Sequence, residues 1–312
     1  MKKRTLSLLL AGLLALSLTA CGGEPSGSSP APSDPVESTP GETVTVPPVE
    51  DLTATDTSAI PGVEDGVLTV GMECSYAPYN WTQLDDSNGA VPIVNNPGSY
   101  ANGYDVMIAQ RICDAYGWEL EVMAIGWDGL TPALESGSID AVIAGQSMTE
   151  ERMERVDMAG PYFYASIVCV TKTGSEQASA AGISQLTGTC TAQTGTIWYN
   201  SCLPQIAGAE IMPESETAPA MIMAVESGTV DFICTDMPTA LGACATYDDL
   251  TILDFSGTGD DFDVDQGEIN IGISVSKGND QLKDAMDAVL APLTAEHFNV
   301  LMDQAISVQP EI

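Results

Sequence analysis

Arg152 is one of nine cationic side chains in a 312-residue chain that carries 44 Asp and Glu, and three of the nine, Lys2, Lys3 and Arg4, open the sequence. It stands in AGQSMTEERMERVDMAGPYF (144–163), three residues after a threonine of helix-cap type, where an apolar run hands over to a polar helical one. A planar guanidinium there suits a bidentate oxyanion better than an ammonium would. Residues of matching chemistry follow other apolar runs. Glu73 and Tyr76 follow VLTVGM, Trp127 follows ELEVMAI, and Gly145 and Ser147 follow the run before Arg152. Thr194, Gly195 and Thr196 follow TCTAQ, and Asp236 follows VDFIC. A guanidinium with hydroxyls and helix N–H groups holds a carboxylate, and a carboxylate holds an ammonium. The set suits a zwitterion. Each member also has a plainer reading: Arg152 as a weak surface ion-pair partner of Glu150, Glu151 or Glu154, Asp236 as a turn residue before Pro238, Tyr76 and Trp127 as core.

The same inventory excludes other chemistry. His297 is the single histidine and lies in a C-terminal helical pattern, which removes Ser-His-Asp and Cys-His catalysis. There is no CxxC and no His with close Cys neighbours, so zinc is not expected. The reading assigns no catalytic residue, no metal and no cofactor.

The elements that must carry these residues alternate. VLTVGM (67–72) is a buried strand, ELEVMAI (119–125) alternates as a strand, and TCTAQ (189–193) is a third, with a helix from about Thr196. Ile108, Ile112 and Tyr116 mark one face of a helix over 104–116. Asp128 is placed to cap a helix carrying Leu130 and Leu134, and Asn279 one carrying Leu282, Met286 and Val289. Alternating strands and helices define an α/β fold with parallel sheets, whose ligands gather beyond the carboxyl ends of the strands. The chain also repeats itself. ALESGSIDAVI (133–143) and AVESGTVDFIC (224–234) share Ala, Glu, Ser, Gly and Asp at a constant offset of 91. Each reads as helix end, C-terminal glycine and buried strand, which predicts two lobes of similar topology. At that offset Asp236 corresponds to Gly145.

The N-terminus stands apart. MKKR followed by LSLLLAGLLALSL is a charged segment and an apolar segment of signal-peptide type, ending in LTAC before GG. This resembles a bacterial lipoprotein lipobox and implies cleavage before Cys21 and a lipid on its sulfur. Residues 22–61 are rich in Pro, Ser, Thr, Gly and acids, with no aromatic residue, and read as a disordered tether. Loss of residues 1–20 leaves six cations against 44 acids, a net −38, which disfavours nucleic acid and anionic membrane surfaces as partners. Of eight cysteines, several interrupt apolar runs and behave as small hydrophobes. Cys190–Cys202 is a candidate bridge, with free thiols the favoured reading.

On LTVGMECSYAPYNW, GYDVMIAQRIC, WDGLTPALESGSIDAVIAGQSMTEERMERVDMAGPYF, AQTGTIWYN and VSKGND, the sequence over about 63–309 resembles the family 3 extracellular solute-binding proteins, polar amino-acid receptors of ABC importers. The resemblance implies a two-lobed type II periplasmic-binding-protein fold with two crossover hinge strands near 162–166 and 268–272. Lobe 1 would comprise 62–161 with 273–312, and lobe 2 167–267. It implies that Arg152 grips a ligand α-carboxylate with Ser147 and the backbone at Thr196, and that Asp236 takes the α-ammonium with the Gly145 carbonyl. Tyr76 and Trp127 would sandwich the ligand, Glu73 would meet its side chain, and Gln193 is a further pocket candidate. Three departures stand out: Met107 replaces a second acid, Ile197 replaces a small residue, and 82–102 is longer than the usual hairpin. That insertion is placed either to cover the cleft mouth or to make a separate contact.

The function expected is a monomeric, lipid-anchored extracytoplasmic receptor that passes an amino acid to an ABC permease with its ATPase. Because Glu73 needs a donor, a basic or amide side chain is expected. Two alternatives are an enzyme of dehydratase type on the same fold and a ligand-sensing ectodomain for a signalling partner.

Overall fold

The computed structural model describes residues 44–310. The expected signal peptide, Cys21 and the first part of the expected tether lie outside the described residues. The first half runs β1 (Val67–Met72), β2 (Ser75–Tyr76), β3 (Asn80–Gln83), β4 (Val91–Pro92), β5 (Tyr100–Asn102), α1 (Tyr104–Tyr116), β6 (Glu119–Ala124), α2 (Trp127–Glu135), β7 (Ala141–Val142), α3 (Glu150–Arg155) and β8 (Val156–Phe163). The rest runs β9 (Ile167–Lys172), β10 (Gly188–Thr191), β11 (Ala209–Ile211), α4 (Ala218–Glu226), β12 (Phe232–Asp236), α5 (Met237–Thr246), β13 (Leu250–Leu253), α6 (Gln266–Ile269), β14 (Ile271–Ser276), α7 (Asp280–Leu290) and α8 (Ala295–Val308).

Two five-stranded sheets share one plan. The first has the order β6-β1-β7-β14-β8 and the second β11-β10-β12-β9-β13. In each, four strands run one way and the fourth in order, β14 or β9, runs antiparallel to both its neighbours. The fourth strand of each sheet is the last to be reached or the first after a crossing: β14 returns to the first sheet, and β9 opens the second. The chain crosses between sheets at 164–166 and again within 254–270. These are the two lobes of the fold.

The sequence repeat is a repeat of bonds. Gly137 after α2 and Gly228 after α4 both take left-handed backbone, at φ 73° and 74°, where a side chain would be strained. Three residues on, Asp140 accepts the Thr69 N–H of β1 at 2.8 Å, and Asp231 accepts the Thr189 N–H of β10 at 2.7 Å. Each lobe thus pins the start of its first parallel strand with the aspartate of the same motif.

Helix α1 buries Ile108 and Ile112 completely, and Tyr116 is half-buried, as its spacing predicts. Asn279 caps α7 through the Leu282 N–H. Asp128 does not cap α2: Gly126 holds that position, and Asp128 lies in the first turn. After Thr196 the chain makes a wide π turn and a 3₁₀ turn over 198–205 rather than a regular helix. Pro204, within that 3₁₀ turn, cannot donate to an α-helical ladder.

Two segments differ from what composition suggests. Residues 44–61, read as tether, lie against the first lobe. The Leu52 N–H donates to the Ala115 carbonyl at 2.7 Å, Arg111 donates to the carbonyls of Pro47 and Pro48, and the Trp118 indole N–H donates to Thr57. Val46, Val49 and Leu52 pack on the core. Backbone carbonyls do most of this holding, so a stretch poor in large side chains still docks. The insertion 82–102 supplies the end of β3 with β4 and β5 to a small sheet, β2-β3-β5-β4, and rests on the edge of β6. Val94 N–H donates to the Val122 carbonyl, and Asn95 exchanges two hydrogen bonds with Ala124. It covers a sheet edge that would otherwise be open to pairing.

All seven cysteines among the described residues are free thiols, Cys190 and Cys202 included. Six of them are buried, as the apolar runs require.

Candidate functional site

The residues marked in the sequence lie beyond the carboxyl ends of parallel strands in both sheets. Glu73 follows β1, Trp127 opens α2 after β6, Gly145 and Ser147 follow β7, Gln193 and Thr196 follow β10, and Asp236 ends β12. The structure joins Glu73 to Gln193 and Tyr76 to Asp236 across the two lobes, and Arg152 to Trp127 and Ser147 within the first.

Arg152 sits in the first turn of α3, where Thr149 caps the helix by accepting the Arg152 N–H at 3.2 Å. Its guanidinium stacks on the Trp127 ring, 5.6 Å from the centroid, and donates to the Ser147 carbonyl. None of the ion pairs among the described residues includes it, so it is not the helix-surface pair that Glu150 or Glu151 would make. Burial lowers its pKa to about 10, and the Glu151 charge opposes that fall. A cavity of about 210 Å³ opens beside it, lined by Trp127, Gly195 and Asn200 among others. A Cβ on Gly195, from the second lobe, would stand 3.2 Å from the Trp127 indole nitrogen.

Asp236 is fully buried and caps α5, its Oδ1 accepting the Thr239 N–H at 2.9 Å. Its Oδ2 accepts the hydroxyls of Tyr79 at 3.0 Å and Tyr76 at 3.3 Å, both from the first lobe. Burial raises its pKa, and these hydrogen bonds hold it back. Glu73 is also buried. Both its oxygens lie 3.4 Å from the Gln193 amide nitrogen of the second lobe. Burial raises its pKa to about 7, the Gln193 amide opposes that rise, and the Asp128 and Asp105 charges add to it.

Tyr76 and Trp127 do not face each other as a ring pair. Tyr76 stacks on Tyr79 at 4.9 Å and meets Trp198 edge-on at 6.5 Å. Thr196 donates its hydroxyl to the Gln193 carbonyl at 2.7 Å, shaping the turn that carries both. Gly145 has φ 63°, and a Cβ there would lie 2.7 Å from the Tyr76 ring. This position requires glycine on both counts.

Residues that sequence reasoning did not mark complete the site. Tyr79 and Thr239 contact Asp236, and the Thr239 hydroxyl donates to Tyr76 at 3.1 Å. Beneath them the Gly145 N–H donates to the Tyr162 hydroxyl, which donates to Asp105 at 2.7 Å, and Asn80 donates to the other Asp105 oxygen. Burial pushes Asp105 up to about 6, despite these donors. This network ties β8, next to a crossing, to the floor of the cleft. The sequence carried one signal for it, the D-M-P-T of residues 236–239, a cap followed by Pro at the second helical position. Among the described residues no group of His, Cys, Asp and Glu is arranged to hold a metal, and no helix is long and apolar enough to cross a membrane.

A two-lobed α/β protein with polar and aromatic groups converging between its lobes is built to enclose a small solute. The sequence matches the family described as bacterial extracellular solute-binding proteins, family 3, over residues 68–304, and the chain belongs to that family. It is 24% identical over 230 residues to the L-cystine-binding protein TcyJ of Escherichia coli, covering 74% of this chain and 78% of that one. It is 26% identical over 290 residues to a probable histidine-binding protein of Neisseria gonorrhoeae, covering 88% and 86%. Among solved structures, an amino acid ABC transporter substrate-binding protein from Streptococcus pneumoniae bound to L-arginine superposes with a TM-score of 0.69 at 24% identity, covering 80% of this chain and 98% of that one. That likeness shows the fold.

Proposed function

We propose that this chain is a lipid-anchored extracytoplasmic receptor that encloses a free amino acid between its lobes and delivers it to an ABC permease. Arg152 and Ser147 hold the α-carboxylate with the backbone at Thr196, and Asp236 with the Gly145 carbonyl holds the α-ammonium. Trp127 and Tyr76 bound the ligand on its apolar faces. Glu73 and Gln193 receive the side chain, which is basic or an amide. Closure occurs about the crossings near 162–166 and 268–272, because the ligand's partners are divided between the lobes.

The observation that carries this reading is Arg152, a guanidinium laid on Trp127 and included in none of the ion pairs among the described residues, with the buried Asp236 at the end of β12 in the second lobe. The five other cations of the two lobes are engaged elsewhere: Lys172, Lys277, Lys283 and Arg155 are paired with Asp249, Asp157, Asp287 and Glu135, and Arg111 donates to the Pro47 and Pro48 carbonyls. A ligand with a second carboxylate would therefore meet Glu73 and find no cation. Histidine and arginine, named for a relative and for a structural neighbour, both carry an α-carboxylate, an α-ammonium and a side chain with N–H donors, which supports the reading. Mass spectrometry of small molecules released from natively purified protein, followed by a thermal-shift screen of the twenty amino acids and ornithine, tests the reading. Stabilisation by lysine, arginine, ornithine, histidine or glutamine is expected. Stabilisation by aspartate, glutamate or aliphatic amino acids alone would refute the side-chain assignment.

A further inference from the structure

Helix α5 carries a glycine in its interior, Gly242, at a place where the backbone does not ask for one. Its φ lies outside the left-handed region, and after proline glycine is the least favourable residue inside a helix. The reason lies across the lobes. A Cβ on Gly242 would stand 3.1 Å from Oε1 of Gln309, 3.6 Å from its Nε2 and 3.3 Å from Cδ of Pro78, so the three atoms nearest to it all belong to the first lobe. Pro78 is buried and held in place, because its carbonyl accepts the Tyr104 N–H at 3.1 Å. The Gln309 amide donates to the Gly242 carbonyl at 3.2 Å, while its Oε1 is buried with no partner. Pro78 lies in the turn between β2 and β3, and that turn and α5 are the segments that meet through Tyr76 and Asp236. The Gly242 contact therefore continues the wall along which the lobes come together.

We infer that Gly242 is the clearance point for closure: its missing side chain lets Pro78 and Gln309 reach α5, and a side chain there acts as a wedge between the lobes. The inference rests on the receptor reading for the motion itself. The one hydrogen bond gained at the Gly242 carbonyl is set against an oxygen of Gln309 withdrawn from water. The contact thus does not hold the lobes shut, and closure draws its driving force from the ligand. Gly242 governs how near the lobes can come, and through that how many of the divided ligand contacts form at once.

The test is the pair Gly242→Ala and Gly242→Leu, with Leu241→Ala at the exposed neighbouring position as control. Alanine and leucine both favour a helix over glycine, so the unfolding midpoint of protein freed of ligand by denaturation and refolding should stay level or rise. Lobe separation is read by small-angle scattering and by fluorescent labels on one introduced ketone side chain in each lobe, which leaves the native thiols alone. The probe is an equimolar mixture of L-lysine, L-arginine, L-ornithine, L-histidine and L-glutamine. Wild type and Leu241→Ala should shorten the label distance when the mixture is added. Gly242→Leu should stop short of the wild-type distance at saturation, and the mixture concentration giving half the change should rise by about tenfold or more, the scale on which overpacking a close contact acts. Gly242→Ala should fall between the two, and Gln309→Ala should restore part of what Gly242→Ala loses. A Gly242→Leu protein that closes fully at wild-type concentrations would overturn the inference. So would a lowered unfolding midpoint in the ligand-free variants, which would make Gly242 a packing residue of the second lobe. A wild type whose label distance the mixture leaves unchanged overturns the receptor reading and this inference with it, so the wild-type trace tells the two failures apart.

Discussion

Lowering the pH from 8 to 6 should weaken binding of a cationic amino acid by about tenfold. Glu73 is the group responsible. Its ordinary pKa of 4.5 is raised to about 7 in the free protein, chiefly by burial. Around it stand the Gln193 amide, the Asp128 and Asp105 carboxylates and the Tyr76 and Cys74 side chains, none of them cationic. About nine-tenths of Glu73 is then ionised at pH 8 and about a tenth at pH 6, a difference of about 1.4 kcal/mol in the form that a cation can use. The ligand binds the ionised form, so binding at pH 6 must release a proton. Calorimetry in two buffers of different ionisation enthalpy measures that release directly. The free protein behaves oppositely: a carboxyl whose folded pKa is raised gives stability that is present below about 4.5 and is lost as the pH rises to about 7. The thermal shift caused by a cationic ligand should accordingly be larger at pH 8 than at pH 6. Glu73→Gln should flatten the affinity profile and weaken a cationic ligand far more than glutamine. Affinity that is level across this range in the wild type, or equally steep in Glu73→Gln, would refute the assignment of Glu73 to the ligand side chain.

Three further outcomes are expected. Arg152→Lys should cost about 2–5 kcal/mol of ligand affinity, since a point charge cannot replace a planar fork, with the unfolding midpoint of the free protein unchanged; calorimetry and a thermal melt check both halves. Gly145→Ala should impair folding or binding, because φ 63° and the 2.7 Å approach of the Tyr76 ring both oppose a methyl group; a loss of about 1–3 kcal/mol in a denaturant titration is the measure. Asp140→Ala and Asp231→Ala should each destabilise by about 1–2 kcal/mol, similarly in the two lobes, because each removes the acceptor of a strand N–H; unequal costs would show that the repeat is one of sequence rather than of energetics.

The parts of the fold that were legible in the sequence are those with local causes. Buried apolar runs gave β1 and β12, helical spacing gave α1, and a glycine after each repeated helix gave the left-handed turns at Gly137 and Gly228. The rule that ligands lie beyond strand ends was enough to mark Glu73, Trp127, Arg152 and Asp236, which stand at or after the carboxyl ends of β1, β6, β7 and β12. What escaped notice depends on distance in the chain. Tyr79 and Asp236 are 157 residues apart, and nothing local distinguishes a tyrosine that reaches a partner from one that merely packs. Asp105 likewise reads as a helix-start acid, while its actual partners come from β3 and β8. The docking of 44–61 was invisible because composition counts side chains, whereas Arg111 and Ala115 bind that stretch through its backbone.

That docked stretch decides where a shortened form of the protein should start. Composition would place the cut at residue 62. Such a chain would strip the Arg111 guanidinium of the Pro47 and Pro48 carbonyls, take Thr57 from the Trp118 indole and uncover the apolar surface now met by Val46, Val49 and Leu52. A face of α1 would be left bare and prone to self-association. Starting at residue 44 instead keeps the clasp in place, so that changes seen in a truncated protein would report on the cleft rather than on a frayed first lobe.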